Sequence, residues 1–257
     1  MKSSWRENPW LVCLLPFVVF MLAGSLEPTP PAASGAAGEV GAGGKPWIDL
    51  GIEYRHYPLL YTAKIVLTVA AMIFVWPGYR KYARRLSWQG VIVGIVGAAV
   101  WIGLATWQRQ WMPWLADKTG WEWFRTMGQR SAFNPLAELS AQPILAYAFL
   151  AVRLLGLAVV VPVIEEFFLR GFLMRFFMAE RWWEVPFGKV NRLAVIAGTA
   201  VPMLMHPQEA VAALVWFSAV TWLMTRTRSI WDCVLAHAVT NLLLGTYVIA
   251  SGQWWLM

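Results

Sequence analysis

Apolar residues run through this chain in blocks close to the ~20 residues that an α-helix needs to cross ~30 Å of hydrocarbon. Seven such blocks stand at roughly 9–26, 58–77, 89–108, 143–164, 192–206, 209–225 and 230–250. The pattern predicts an all-α fold, a polytopic transmembrane helical bundle of about seven to eight helices. Lys2 and Arg6 precede the first block, which ends in Ala23-Gly24-Ser25. Those are also features of a secretory signal peptide, but the long core favours an uncleaved first helix.

Between the first two blocks, residues 27–46 form a Pro/Gly/Ala-rich stretch, EPTPPAASGAAGEVGAGGKP. Such a composition cannot pack and reads as a flexible linker. The chain therefore divides into residues 1–56, an N-terminal transmembrane helix plus linker, and residues 57–257, a single helical bundle without a convincing internal repeat.

Composition strengthens the membrane reading. Of 257 residues, 59% are hydrophobic, 18 are Trp and only 14% are charged, more apolar surface than a soluble domain can hide. The net charge of +7 does not point to nucleic acid, because Lys and Arg fall in short runs between apolar blocks, as membrane topology requires. Lys2 and Arg6, then Arg80, Lys81, Arg84 and Arg85, then Arg175, Arg181, Lys189 and Arg192, then Arg226 and Arg228 occupy alternate loops. These loops are expected on the cytoplasmic side of the cell (inner) membrane, with a cytoplasmic N-terminus and Met257 outside. The linker and the segment 109–142, which mix acids with bases, are expected on the outer side. Cys13 and Cys233, the only cysteines, lie inside apolar blocks and lack the count and spacing of a disulfide framework or zinc ribbon.

Charges inside an apolar helix cost ~2.5 to 3.5 kcal/mol on insertion scales and so mark function or pairing. The densest cluster is VPVIEEFFLRGFLMRFF, residues 161–177. Glu165 and Glu166 are adjacent and point about 100° apart on a helix. Arg170 follows Glu166 by four residues, the spacing of an internal ion pair. Glu165 is left without a local partner, as suits a general base. The bland alternative is that both acids cap a span at the membrane border. Two histidines weigh against it. His206 ends the apolar run from Arg192 and precedes Pro207, whose ring pushes the preceding residue out of helical geometry. That run would extend only ~21 Å as a helix, too short to cross. His237 and Asn241 are four apart and project from one face of the last helix. Each polar group alone is weak; together they are hard to dismiss as packing residues.

The three clusters, Glu165-Glu166 with Arg170, then His206, then His237 with Asn241, resemble the EExxxR, His and HxxxN pattern of the CPBP intramembrane proteases. This is the family of CAAX prenyl endopeptidases and bacteriocin-processing proteins related to the Ras-converting enzyme, and the resemblance covers about residues 143–250. RTRSIWDCVLAHAVTNLLLGTYVIASGQW and YPLLYTAKIVL look more closely like the CAAX prenyl protease-related proteins found alongside bacterial exosortase and PEP-CTERM sorting systems. One departure is Pro202, which stands where the wider family often has an aromatic residue.

The resemblance implies that Glu165 and His206 activate water while His237 and Asn241 stabilise the oxyanion, with Glu166 and Arg170 holding the helix. Substrates would be peptides or proteins in or at the lipid bilayer, within an exosortase/PEP-CTERM context. No cofactor is favoured. A rival mechanism makes Glu165, His206 and His237 zinc ligands, with Cys233 one turn before His237 as a fourth. Rival functions are a non-catalytic scaffold, immunity or sorting partner of the same fold, and a small-solute transporter, although the paired repeats that transporters favour are not seen. The hydrolytic reading carries a geometric requirement: Glu165, His206, His237 and Asn241 must line one intramembrane cavity walled by Phe, Leu and Trp, open to the cytoplasm or laterally to lipid. Straight full-length spans would keep Glu165 and His206 apart. Residues 143 to about 178 are thus expected as one long segment broken near Pro162.

Overall fold

A computed structural model describes residues 5–28, 51–83, 85–126 and 132–257, and among them every regular element is helical. The seven apolar blocks appear as α1 (Pro9–Gly24), α2 (Tyr57–Tyr79), α3 (Trp88–Thr119), α4 (Pro143–Phe176), α5 (Arg192–Met205), α6 (Ala210–Thr227) and α7 (Ile230–Ser251). From residue 29 to 46 the expected linker lies outside the described residues, as does Arg84.

Five helices, α2, α3, α4, α6 and α7, are long and apolar enough to cross a membrane, and the chain is a multi-pass membrane protein. The other two are shorter, α1 with 16 residues and α5 with 14. Apolar side chains such as Leu59, Val66 and Ile73 on α2, and Ile92, Ile95 and Val96 on α3, are exposed on the bundle exterior. That arrangement suits hydrocarbon as the surrounding solvent, with backbone groups satisfied inside each helix. Helix α3 has 32 residues, ~48 Å at 1.5 Å per residue, and so outruns a ~30 Å hydrocarbon layer. Its exposed Trp107, Trp111 and Trp114 are residues of the type that sits at the headgroup level.

Small residues set the close approach of α3 to α7. A Cβ on Gly94 would lie 2.6 Å from the Val239 Cβ and 2.8 Å from the Ala236 carbonyl oxygen, so only glycine admits this packing. The Thr240 hydroxyl donates to the Gly94 carbonyl at 2.9 Å and accepts the Trp216 indole N–H at 3.0 Å, tying α3, α6 and α7 together. Asp232 near the start of α7 accepts from the Ser87 amide at 2.6 Å and the Ser87 hydroxyl at 3.0 Å, which anchors the entry to α3.

Helix α4 is one long segment, as expected, but it is not broken at Pro162. Instead Gly156–Val160 and Phe167–Leu173 are wound as π-helix on either side of Val161–Glu166. Pro162 has no N–H for the ladder, and the wider turn before it absorbs the defect without ending the helix. Helices α5 and α6 form a hairpin whose tip, His206 and the turn Pro207–Glu209, is clamped by Gln108 of α3. The Gln108 amide donates to the Gln208 carbonyl at 2.6 Å and accepts the Val211 N–H at 3.1 Å.

Candidate active site

The two carboxylates on α4 have different surroundings because adjacent helical positions diverge. Glu166 is fully buried. Its Oε2 accepts from Arg170 Nη1 at 2.5 Å, the pairing expected from the i, i+4 spacing. Its Oε1 faces His237 Nδ1 at 3.0 Å. This second contact was not foreseen: it spans 71 positions and has no local signal. Arg170 Nη2 also donates to the Phe217 carbonyl at 3.2 Å, so one guanidinium and one carboxylate bolt α4 to both α6 and α7.

This arrangement orients His237. A carboxylate paired with arginine can only accept, so the His237 Nδ1 carries hydrogen. The ring therefore turns Nε2 toward Glu165, whose Oε2 lies 4.0 Å away, beyond direct hydrogen-bond reach. Trp216 packs edge-on to the ring at 4.6 Å between centroids. Glu166 is thus more than the ion-pair partner read from the sequence, since it also sets the tautomer and direction of His237.

His206 lies where Pro207 was expected to place it. It caps α5 with φ −124° and ψ 57°, outside helical geometry, and is half-buried. Its Nδ1 is 2.8 Å from the Pro202 carbonyl. A carbonyl only accepts, so Nδ1 donates and Nε2 is the acceptor nitrogen of the neutral ring. Trp101 lies edge-on to it at 5.6 Å between centroids, and Phe217 lies tilted against it at 5.7 Å. Pro202, which departs from the aromatic pattern, is therefore part of what holds the histidine. Asn241, one turn after His237, donates from Nδ2 to the Leu157 carbonyl on α4 at 2.9 Å, leaving the second Nδ2 hydrogen.

Glu165, His206, His237 and Asn241 all line one cavity of about 300 Å³. Its walls include Trp101, Trp216, Phe217 and Leu157, in keeping with the apolar lining anticipated. Arg153, Lys64 and Glu27 also reach it. Lys64 and Glu27 form an ion pair at 2.6 Å, and Arg153 donates to the carbonyls of Phe133 and Met257 at 2.7 and 2.9 Å. Sequence reasoning did not single out these three, because nothing local relates α1, α2 and the last residues to α4. Among the described residues, no three His, Cys, Asp or Glu side chains are arranged to hold a metal ion. Cys233, the fourth ligand of the zinc alternative, is buried and points its Sγ at the Ser229 carbonyl at 3.5 Å.

No curated protein and no solved structure matches this chain. A protein-family model described as type II CAAX prenyl endopeptidase Rce1-like matches residues 146–243, from the first turns of α4 to the middle of α7, the stretch that carries all six of these polar side chains.

Proposed function

We propose that this protein is an intramembrane endopeptidase that hydrolyses peptide bonds of membrane-associated or sorted proteins. The observation that carries the reading is the convergence of Glu165, His206, His237 and Asn241 on one cavity inside an apolar bundle. The match to an Rce1-like endopeptidase model over the residues that build the cavity supports it. So does the likeness of the C-terminal stretch to proteins of PEP-CTERM sorting systems, which favours exported or sorted substrates over prenylated ones.

In this reading a water held between the Glu165 carboxylate and His206 Nε2 attacks the scissile carbonyl carbon, and Glu165 takes its proton. The C–O bond forms as the carbonyl π pair moves onto oxygen. That oxyanion accepts hydrogen bonds from Asn241 Nδ2 and His237 Nε2. Because His237 Nδ1 already donates to Glu166, Nε2 can donate only when the ring is imidazolium. The Glu166 carboxylate offsets that positive charge. Collapse of the tetrahedral species breaks the C–N bond, and the proton on Glu165 passes to the leaving amine, so water and peptide give one carboxylate and one amine.

The test compares new protein termini in membranes of cells carrying the intact protein or its Glu165→Gln variant. A set of termini that disappears with Glu165→Gln is expected. Identical sets would instead favour a non-catalytic scaffold of the same fold.

A further inference from the structure

The cavity has a direction. From Glu165 its wall follows α4 through Val161 and Leu157 to Arg153, twelve residues and thus ~18 Å toward the start of that helix. On α7 it proceeds from His237 through Asn241 to Gly245, toward that helix's end. Tyr61 and Tyr57 carry it to the start of α2, and Glu27 lies just past the end of α1. All four tracks lead to the same end of the bundle.

The opposite end is floored. Glu166, Phe167, Arg170 and Cys233 are fully buried immediately beneath the site. Below them Arg175 donates to the carbonyls of Gly171, Trp183 and Val185 at 3.0, 2.9 and 2.7 Å, drawing the loop after α4 across the helix ends with Trp182 buried inside it. His206 at the hairpin tip lines the cavity, as do Leu256 and Met257 at the end of the chain.

Charge distinguishes the two ends. The floored end carries the basic stretches at 80–82, 181–192 and 226–228, whereas around the open end Glu27, Glu53, Asp117, Glu122 and Glu138 offset the bases. Positive loops stay in the cytoplasm. We propose that the cavity opens to the non-cytoplasmic side, and that its substrates are extracytoplasmic juxtamembrane segments of membrane-anchored or exported polypeptides. This reverses the cytoplasmic or lateral opening that the sequence suggested. The substrate clause rests on the peptidase reading; the direction of opening does not.

Single cysteines test the direction in a full-length chain whose Cys13 and Cys233 have been replaced by alanine. Leu157→Cys and Leu244→Cys place a thiol on the cavity wall, and Thr227→Cys places one at the end of α6, between Arg226 and Arg228. A membrane-impermeant methanethiosulfonate reagent is applied to right-side-out and to inside-out vesicles. The cavity thiols are expected to label in right-side-out vesicles and to lose labelling in inside-out ones, with Thr227→Cys showing the reverse. Cavity labelling from the cytoplasmic side, labelling of Thr227→Cys from outside, or a cavity inaccessible from both sides would overturn the proposal. Repeating the labelling with Glu165→Gln keeps the two questions apart, since sidedness persists in that variant even if the protein cleaves nothing.

Discussion

Replacing Arg170 with alanine isolates the contribution of the Glu166 bolt. Arg170 and Glu166 are both fully buried, joined at 2.5 Å, and Arg170 also caps the Phe217 carbonyl. The truncation leaves a buried carboxylate facing only His237 and a void. Removing one member of a buried pair typically costs ~3 to 5 kcal/mol. For a chain of this size that corresponds to a fall in apparent unfolding temperature of roughly 6 to 20 °C, at ~2 to 4 °C per kcal/mol. Glu165→Gln should cost under ~1 kcal/mol, because its closest ionic contact, His237 at 4.0 Å, is beyond hydrogen-bond reach. The two free, buried cysteines provide the assay: a thiol-reactive fluorophore reports unfolding in detergent as Cys13 and Cys233 become accessible. A Glu166→Gln, Arg170→Met double variant should recover much of the stability, since replacing both charges removes the uncompensated one. It should remain inactive, because His237 has lost the carboxylate that orients it. If Arg170→Ala unfolds within about 2 °C of the parent, or if Glu165→Gln falls equally far, the division between a structural and a reactive carboxylate is wrong.

Three further outcomes follow from the site. Asn241→Ala should lower the cleavage rate by ~10²- to 10³-fold as an oxyanion donor is lost, with only ~1 kcal/mol of stability lost with the Leu157 bond; a rate within threefold of the parent in single-turnover assays would remove Asn241 from the site. Gln108→Ala should release the hairpin tip and displace His206, lowering the rate ~10²-fold for a shift of ~1 Å, and hydrogen exchange at residues 206–211 should rise in step. A rate loss without that increase would mean that Gln108 acts otherwise. Activity should survive exhaustive dialysis against chelators, and loss of activity restored by zinc would favour the metal alternative with Glu165, His206 and His237 as ligands.

The sequence exposed those parts of the site that follow from short spacings. The Glu166–Arg170 pair is an i, i+4 contact, His237 and Asn241 share a face for the same reason, and His206 leaves its helix because Pro207 follows it. All seven apolar blocks are helical. Contacts between distant segments were hidden. No periodicity links Glu166 to His237, Gln108 to the turn at Gln208, or Arg153 to Met257. Pro162 was correctly a point of irregularity, but a proline shows only that one hydrogen bond is missing. The structure meets that loss with a π turn before Pro162 rather than a break.

The most direct test of the central claim is hydrolysis by the purified protein itself, reconstituted in liposomes with membrane-extracted polypeptides in ¹⁸O-labelled water. The account predicts new C-termini that each carry one ¹⁸O from the attacking water, formed by the intact protein and absent with Glu165→Gln. Equal yields of labelled termini from both proteins would contradict it.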